Sequence, residues 1–354
     1  MFKRLRFKQK GEEGSTNIQA LNYNAGISYE DARNIALDVF KNNFYELSAT
    51  AAEVASARAE EITEIYLQEL REKKPEAVSN VNDPDIQFAL FNAQMQYARN
   101  DDKELGEVLV DLLVERTEVK ERDFKQIVLN ESIEVLSKLN KEQIDILTLV
   151  FCLRSIRMPH ITSLLELKKY LEDTIDPLFT KNALKGSHLL HLEYCGCLNV
   201  ERLGSSNLHK LFSDTYDGLF CKGFTLDEFK NQFDHISEDA KKRLLRSSLH
   251  DKTNTLLQFN AMSAANLEWL GEELGLTPVD IINLKNSFEN NKMSENQVEE
   301  VLKNLYPNYT MLVELWEKTD LKSSNLTTVG IAIAYTNLKR FIDLPVDLNE
   351  WFKQ

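Results

Sequence analysis

The chain is poor in the residues that interrupt helices, with 12 glycines and 7 prolines among 354 residues. A chain with so few turn formers reads as mostly helix. Its 4 cysteines, Cys152, Cys195, Cys197 and Cys221, are too scattered for a disulfide framework. A reducing cytoplasm is therefore the expected setting. The apolar run Ile146 to Leu153 is far too short to cross a bilayer, and no apolar stretch follows the basic arm at the start to act as a signal peptide. An excess of basic residues is also lacking, with 42 Lys and Arg against 56 Asp and Glu. The net charge of -14 argues against a protein that coats nucleic acid, whose affinity would come from neutralising phosphates. No G-x-S-x-G, H-E-x-x-H or G-x-G-x-x-G occurs. Lys185-Gly186-Ser187 ends like a phosphate-binding loop, but Lys181 stands where the earlier glycine belongs. No cofactor is expected, and no catalytic residue is assigned.

What is present is ordinary globular composition, 43% hydrophobic and 28% charged, over a length that allows two or three cores. Helix starts recur: Ser28 with Asp31, Asn140 with Gln143, Thr225 with Glu228, Ser294 with Gln297, and the cap Thr277 followed by Pro278. The fold class expected is mainly α and multi-helix, with at most a small β-hairpin near 193–207 that would suit a winged-helix-like module. The organisation expected is a basic and polar flexible or assembly segment (1–27) and a long helical segment (28–74). A helical domain with the hairpin (85–220) and a C-terminal helical domain (225–354) follow. Helices are expected over 103–139 and 238–249, a strand over 193–200, and a loop from Pro75 to Pro84. Ala49, Ala51, Ala52, Ala55, Ala57 and Ala59 invite close helix packing, first of all within the chain.

Three clusters carry candidate chemistry. His188, His191, Cys195 and Cys197 are zinc-ligand types within ten residues, but no second ligand pair accompanies them, so packed histidines and free thiols are expected in place of a metal site. Leu270 to Leu284 resembles a DNA-binding helix-turn-helix, with a turn glycine at 275 and apolar Ile281 and Leu284. Its second helix is expected to turn Asp280, Asn283, Lys285 and Asn286 outward, with one basic residue among them for groove reading. The L-G-L turn is also similar to that of helical homotypic-interaction domains of death-domain type. The third cluster is the N-terminal segment. Lys3, Arg4, Arg6, Lys8 and Lys10 could contact phosphates weakly, and Ser15, Thr16, Asn17, Ile18, Gln19 and Ala20 have the amide and β-branched content of segments that stack between chains.

The segment G-E-E-G-S-T-N-I-Q-A followed by Gly26-Ile27-Ser28-Tyr29-Glu30 resembles the start of an uncharacterised family of bacterial cytosolic proteins. Leu326 to Ala334 followed by Asp347-Leu348-Asn349-Glu350-Trp351 is similar to that family's ending. Similar N-terminal elements occur in anti-phage defence proteins, and the helical layout is similar to that of abortive-infection proteins. The resemblance implies a non-enzymatic protein of assembly and partner recognition in phage defence. It would be a cytoplasmic homo-oligomer with an unidentified protein partner and no membrane span. The alternative is a nucleic-acid-binding regulator using the 270–284 segment.

Overall fold

The computed structural model describes residues 28–43, 49–119, 122–180, 185–201 and 204–352. Among the described residues 17 α-helices carry most of the chain, helix amounting to 71%, and the strands form two small antiparallel pairs, so the protein is mainly α. The first part of the chain contributes α1 (Tyr29–Asn43), α2 (Ala49–Lys73), α3 (Pro84–Asn100), α4 (Lys103–Glu118), α5 (Phe124–Leu136) and α6 (Lys141–Arg154). Next, α7 (Leu164–Tyr170) runs through a π turn into α8 (Asp176–Phe179), followed by α9 (Gly186–Tyr194), β1 (Leu198–Val200) and α10 (Leu208–Thr215). The middle of the chain supplies α11 (Leu226–Phe233), α12 (Glu238–Leu244), β2 (Leu245–Ser247), β3 (Leu257–Phe259), α13 (Ala264–Glu273) and α14 (Pro278–Asn290). The end returns as α15 (Glu295–Leu305), α16 (Tyr309–Lys318), β4 (Ser324–Leu326) and α17 (Thr328–Lys339).

These elements divide between two main cores. The larger takes residues from α1 to α10 and again from α15 to α17. The second is built by α11 to α14 and β3 around Phe229, Phe233, Phe259, Leu284 and Phe288. The chain enters and leaves this second core at one place, where Cys221 bridges Lys292. There Lys222 N donates to Asn291 O at 2.9 Å, and Met293 N donates to Phe220 O at 2.9 Å. Residues 225–354 are thus shared between both cores.

Two helices hold the larger core. In α6 every residue from Gln143 to Leu153 is buried, and α17 is buried over Ala332 to Leu338. Helices apolar on all sides are stable only when other elements surround them, and α6 and α17 pack on each other. Two of the polar groups this buries meet each other: Asn337 Nδ2 donates to Thr148 Oγ1 at 2.9 Å. The start of α6 carries the expected capping box, with Gln143 N donating to Asn140 Oδ1 at 3.0 Å and Asn140 N to Gln143 Oε1 at 3.2 Å. At the other end of the pair, Gly330 lies against the carbonyl of Cys197, leaving no room for a Cβ. The small residue serves a backbone carbonyl, which also accepts from Thr327 N at 3.0 Å.

Several sequence expectations give way to local chemistry. The 103–139 helix is two, because Asp123 caps a new start by accepting from Gln126 N at 2.8 Å. Pro75–Asn82 is a 3-10 helix, not an open loop. Helix α9 runs on to Tyr194, and the strand beyond it is only Leu198–Val200. That strand closes no local hairpin: its partner is the distant β4, with Leu198 opposite Leu326. The local hairpin is β2 with β3, because the 238–249 helix ends at Leu244 and Leu245 opens a strand facing Phe259.

Beneath α3, α4 and α5, buried Arg116 holds a polar junction. Its Nη2 bonds the Asp85 carboxylate, and its Nε donates to Asn130 Oδ1 at 2.8 Å. Burial would raise the Asp85 carboxyl, but hydrogen bonds from Asn130, Arg116 and Gln126 together hold it below the ordinary carboxylate range. A carboxyl depressed by folding stabilises above the unfolded pKa, and that contribution is lost as pH falls through the folded pKa. Asp85→Asn should therefore be less stable than the natural chain at neutral pH, with the gap narrowing below about pH 4. Urea melts across that range check it. Gly330→Ala should cost about 1–3 kcal/mol through overpacking against the Cys197 carbonyl, measured by the same melts.

Candidate recognition surface

The α13–α14 hairpin on the second core is shaped by its turn. Leu276 N donates to Gly271 O at 3.0 Å and Gly275 N to Glu272 O at 3.0 Å, a Schellman closure. Gly275 sits at φ 68°, the left-handed conformation this closure requires. Thr277 then caps α14 by accepting from Asp280 N at 3.2 Å, with Pro278 in the first helical turn. Gly271 lets the helices close, since a Cβ there would stand 2.9 Å from Ile281 Cγ1. Leu267, Leu270, Ile281, Leu284 and Phe288 face inward. The L-G-L-T-P pattern thus specifies a rigid helical corner.

The outward side of this corner exposes three large apolar side chains among polar ones. Trp269 is 62% exposed, Val279 65% and Ile282 57%. Val279 and Ile282 are three residues apart and so share a face of α14. Glu268 Oε2 and Lys285 Nζ join the two helices at 2.6 Å, which puts Trp269 and Ile282 at neighbouring levels of the hairpin. Three charged groups near them are matched, while Glu272, three residues beyond Trp269, is exposed. Lys285 is held by Glu268, Arg243 by Glu273 at 2.6 Å, and Asp280 accepts from Thr277 Oγ1 at 2.6 Å and bonds His235 Nε2 at 2.8 Å. The Thr277 and His235 bonds hold the Asp280 carboxyl below its ordinary range. Of the residues expected to face outward, Asn283 and Asn286 are exposed and Lys285 is tied into this ion pair, but Asp280 is buried, held there by its bonds to Thr277 and His235. The exposed trio escaped the sequence reading. Adjacent Ile281 and Ile282 were the available signal, since one helix cannot bury both against the same neighbour.

The His188 to Cys197 cluster is a hydrogen-bonding arrangement between α9 and α6. The capping box points Gln143 Nε2 at His191 Nδ1, 2.8 Å away. Nδ1 then accepts, and the imidazole proton sits on Nε2, which is 3.6 Å from Cys195 Sγ. In this tautomer the ring cannot take the thiol's proton. Burial raises the Cys195 thiol, and pushes Cys197 up to about 12. Among the described residues no group of three His, Cys, Asp or Glu is placed to hold a metal ion. The alanine face of α2 is partly used inside the chain: Ala55 and Ala59 are buried with Phe40 and Ala98. Lys3, Arg4, Arg6, Lys8 and Lys10, and the segment Ser15 to Ala20, lie outside the described residues.

A protein-family model whose description names no activity matches residues 26–352. No curated protein and no solved structure matches the chain.

Because Trp269 and Ile282 contribute little to the core, Trp269→Ala and Ile282→Ala should each change stability by less than about 0.5 kcal/mol. Leu284→Ala, one turn away but fully buried, should cost about 2–5 kcal/mol. Denaturant melts of the three variants give the comparison.

Proposed function

The chain belongs to that uncharacterised family, and we propose that it is a non-enzymatic assembly and partner-recognition protein whose α13–α14 surface binds a second copy of the chain. One observation carries the reading: the rigid corner exposes Trp269 on one of its helices and Val279 and Ile282 on the other. Two copies of a chain of net charge -14 repel each other at most orientations. Exposed apolar side chains are where such an approach costs least, and exposed tryptophan is a common anchor of such contacts. A two-fold contact would place the face on its own copy. The similarity of the L-G-L turn to homotypic-interaction domains supports the same occupant. The setting, anti-phage defence of the abortive-infection type in the cytoplasm, rests on the resemblance of the chain's two ends. The segment Ser15 to Ala20 would add to assembly by backbone and amide ladders.

The alternative, a nucleic-acid regulator reading bases with Asn283 and Lys285, has less support, because Lys285 would first have to leave Glu268. Any DNA affinity is then expected from Lys3, Arg4, Arg6, Lys8 and Lys10, steep in salt and indifferent to sequence. Asn283→Ala with Lys285→Ala should leave it unchanged in a competition assay. Sequence-selective binding lost in that double variant would reverse the ranking.

For assembly, light scattering at micromolar concentration should report an oligomer for the intact chain. Ile282→Glu should lower the assembly order while circular dichroism stays unchanged. A monomeric intact chain, or an Ile282→Glu variant that assembles normally, contradicts the proposal.

A further inference from the structure

A cleft of about 380 Å³ lies between the end of α2, the middle of α4 and the end of α17. Its wall holds both signs of charge in near balance: Lys73, Lys74, Lys339 and Arg340 face Asp111, Glu115 and Asp343. Two ion pairs lock the walls together, Lys73 Nζ to Asp111 Oδ1 at 2.9 Å and Lys339 Nζ to Glu115 Oε1 at 2.8 Å. Between them is a gap. Arg340 Nε and Asp111 Oδ2 stand 4.0 Å apart, too far for a hydrogen bond, although both side chains are about four-fifths buried. Arg340 is otherwise paired with Glu107. Neither group is fully compensated: burial holds the Asp111 carboxyl above its ordinary range and the Arg340 guanidinium below its own. Thr336 also lines the cleft, and its buried hydroxyl has no hydrogen-bond partner.

The balance of charge selects the ligand. A polyanion would meet Asp111 and Glu115, and a polycation would meet the lysines and Arg340. A small molecule carrying one charge of each sign meets neither objection. We propose that this cleft binds a free α-amino acid, its carboxylate received by Arg340 and Lys339 and its ammonium by Asp111, the ligand's two charges replacing those that Glu115 and Lys73 supply to Lys339 and Asp111 in the free protein. The volume is at the small end of ligand pockets, which suits a molecule of that size. Binding would tie α2, α4 and α17 together. The proposal is independent of the α13–α14 surface, since no residue is shared.

Titration calorimetry on the full chain tests it, using L-alanine, L-glutamate and L-lysine at millimolar concentration, with acetate and methylammonium as single-charge controls. The expected result is saturable binding of at least one amino acid and none of either control. Arg340→Gln and Asp111→Asn should each weaken that binding about tenfold or more, because each removes a charged hydrogen bond. Circular dichroism establishes that the variants are folded, and Arg340→Gln alone decides if Asp111→Asn is not. No saturable binding by any of the three, equal binding of acetate or methylammonium, or full affinity in a folded Arg340→Gln variant would each overturn the proposal.

Discussion

The structure depends on the burial of α6 against α17. These helices come from distant parts of the chain, and neither could remain in water with its apolar side chains on every face. Their contact fixes where the other helices of the larger core can lie, and it demands that buried polar groups find each other, as Asn337 and Thr148 do. It also explains the most constrained glycine: Gly330 admits the Cys197 carbonyl, and the same stretch of backbone then pairs β1 with β4. One packing decision thus organises both the helices and a sheet that has no local reason to form.

The second core is carried as a detour from this frame. Its chain enters and leaves at Cys221 and Lys292. A carboxylate sits at that neck: Asp217 is buried, bonded to Lys292 Nζ at 3.2 Å, and burial raises its carboxyl. The detour spends its own aromatic residues on a compact interior and leaves Trp269, Val279 and Ile282 outside. In the proposed assembly, these exposed side chains of the second core would make the contact with another copy of the chain.

Much of this was legible in local chemistry. Asn140 with Gln143, Thr225 with Glu228 and Ser294 with Gln297 form capping boxes, and Leu274-Gly275-Leu276-Thr277-Pro278 makes the turn its residues specify. Such features depend on a few neighbouring residues, so the order of the chain contains them. What was not legible depends on partners far away. Nothing near Leu198 announces Leu326 as its opposite, and nothing near Leu245 says that a helical pattern will yield to pairing with Phe259. The cleft between α2, α4 and α17 was invisible for the same reason, since its charged residues look like helix-end lysines and solvated carboxylates until three helices bring them together. Exposure is the hardest property of all: Trp269 differs from Trp316 only in what surrounds it, and Trp316 is wholly buried.

That difference supplies the most direct test of the recognition surface. With tryptophan replaced throughout by its fluorinated analogue, fluorine NMR follows Trp269 and Trp316 separately as the intact protein is diluted. If the α13–α14 face binds a second copy, the Trp269 resonance moves with protein concentration, while that of Trp316 stays fixed. A Trp269 resonance that stays at its solvent-exposed position at every concentration, in a sample that nevertheless assembles, would place the contact elsewhere and contradict the account.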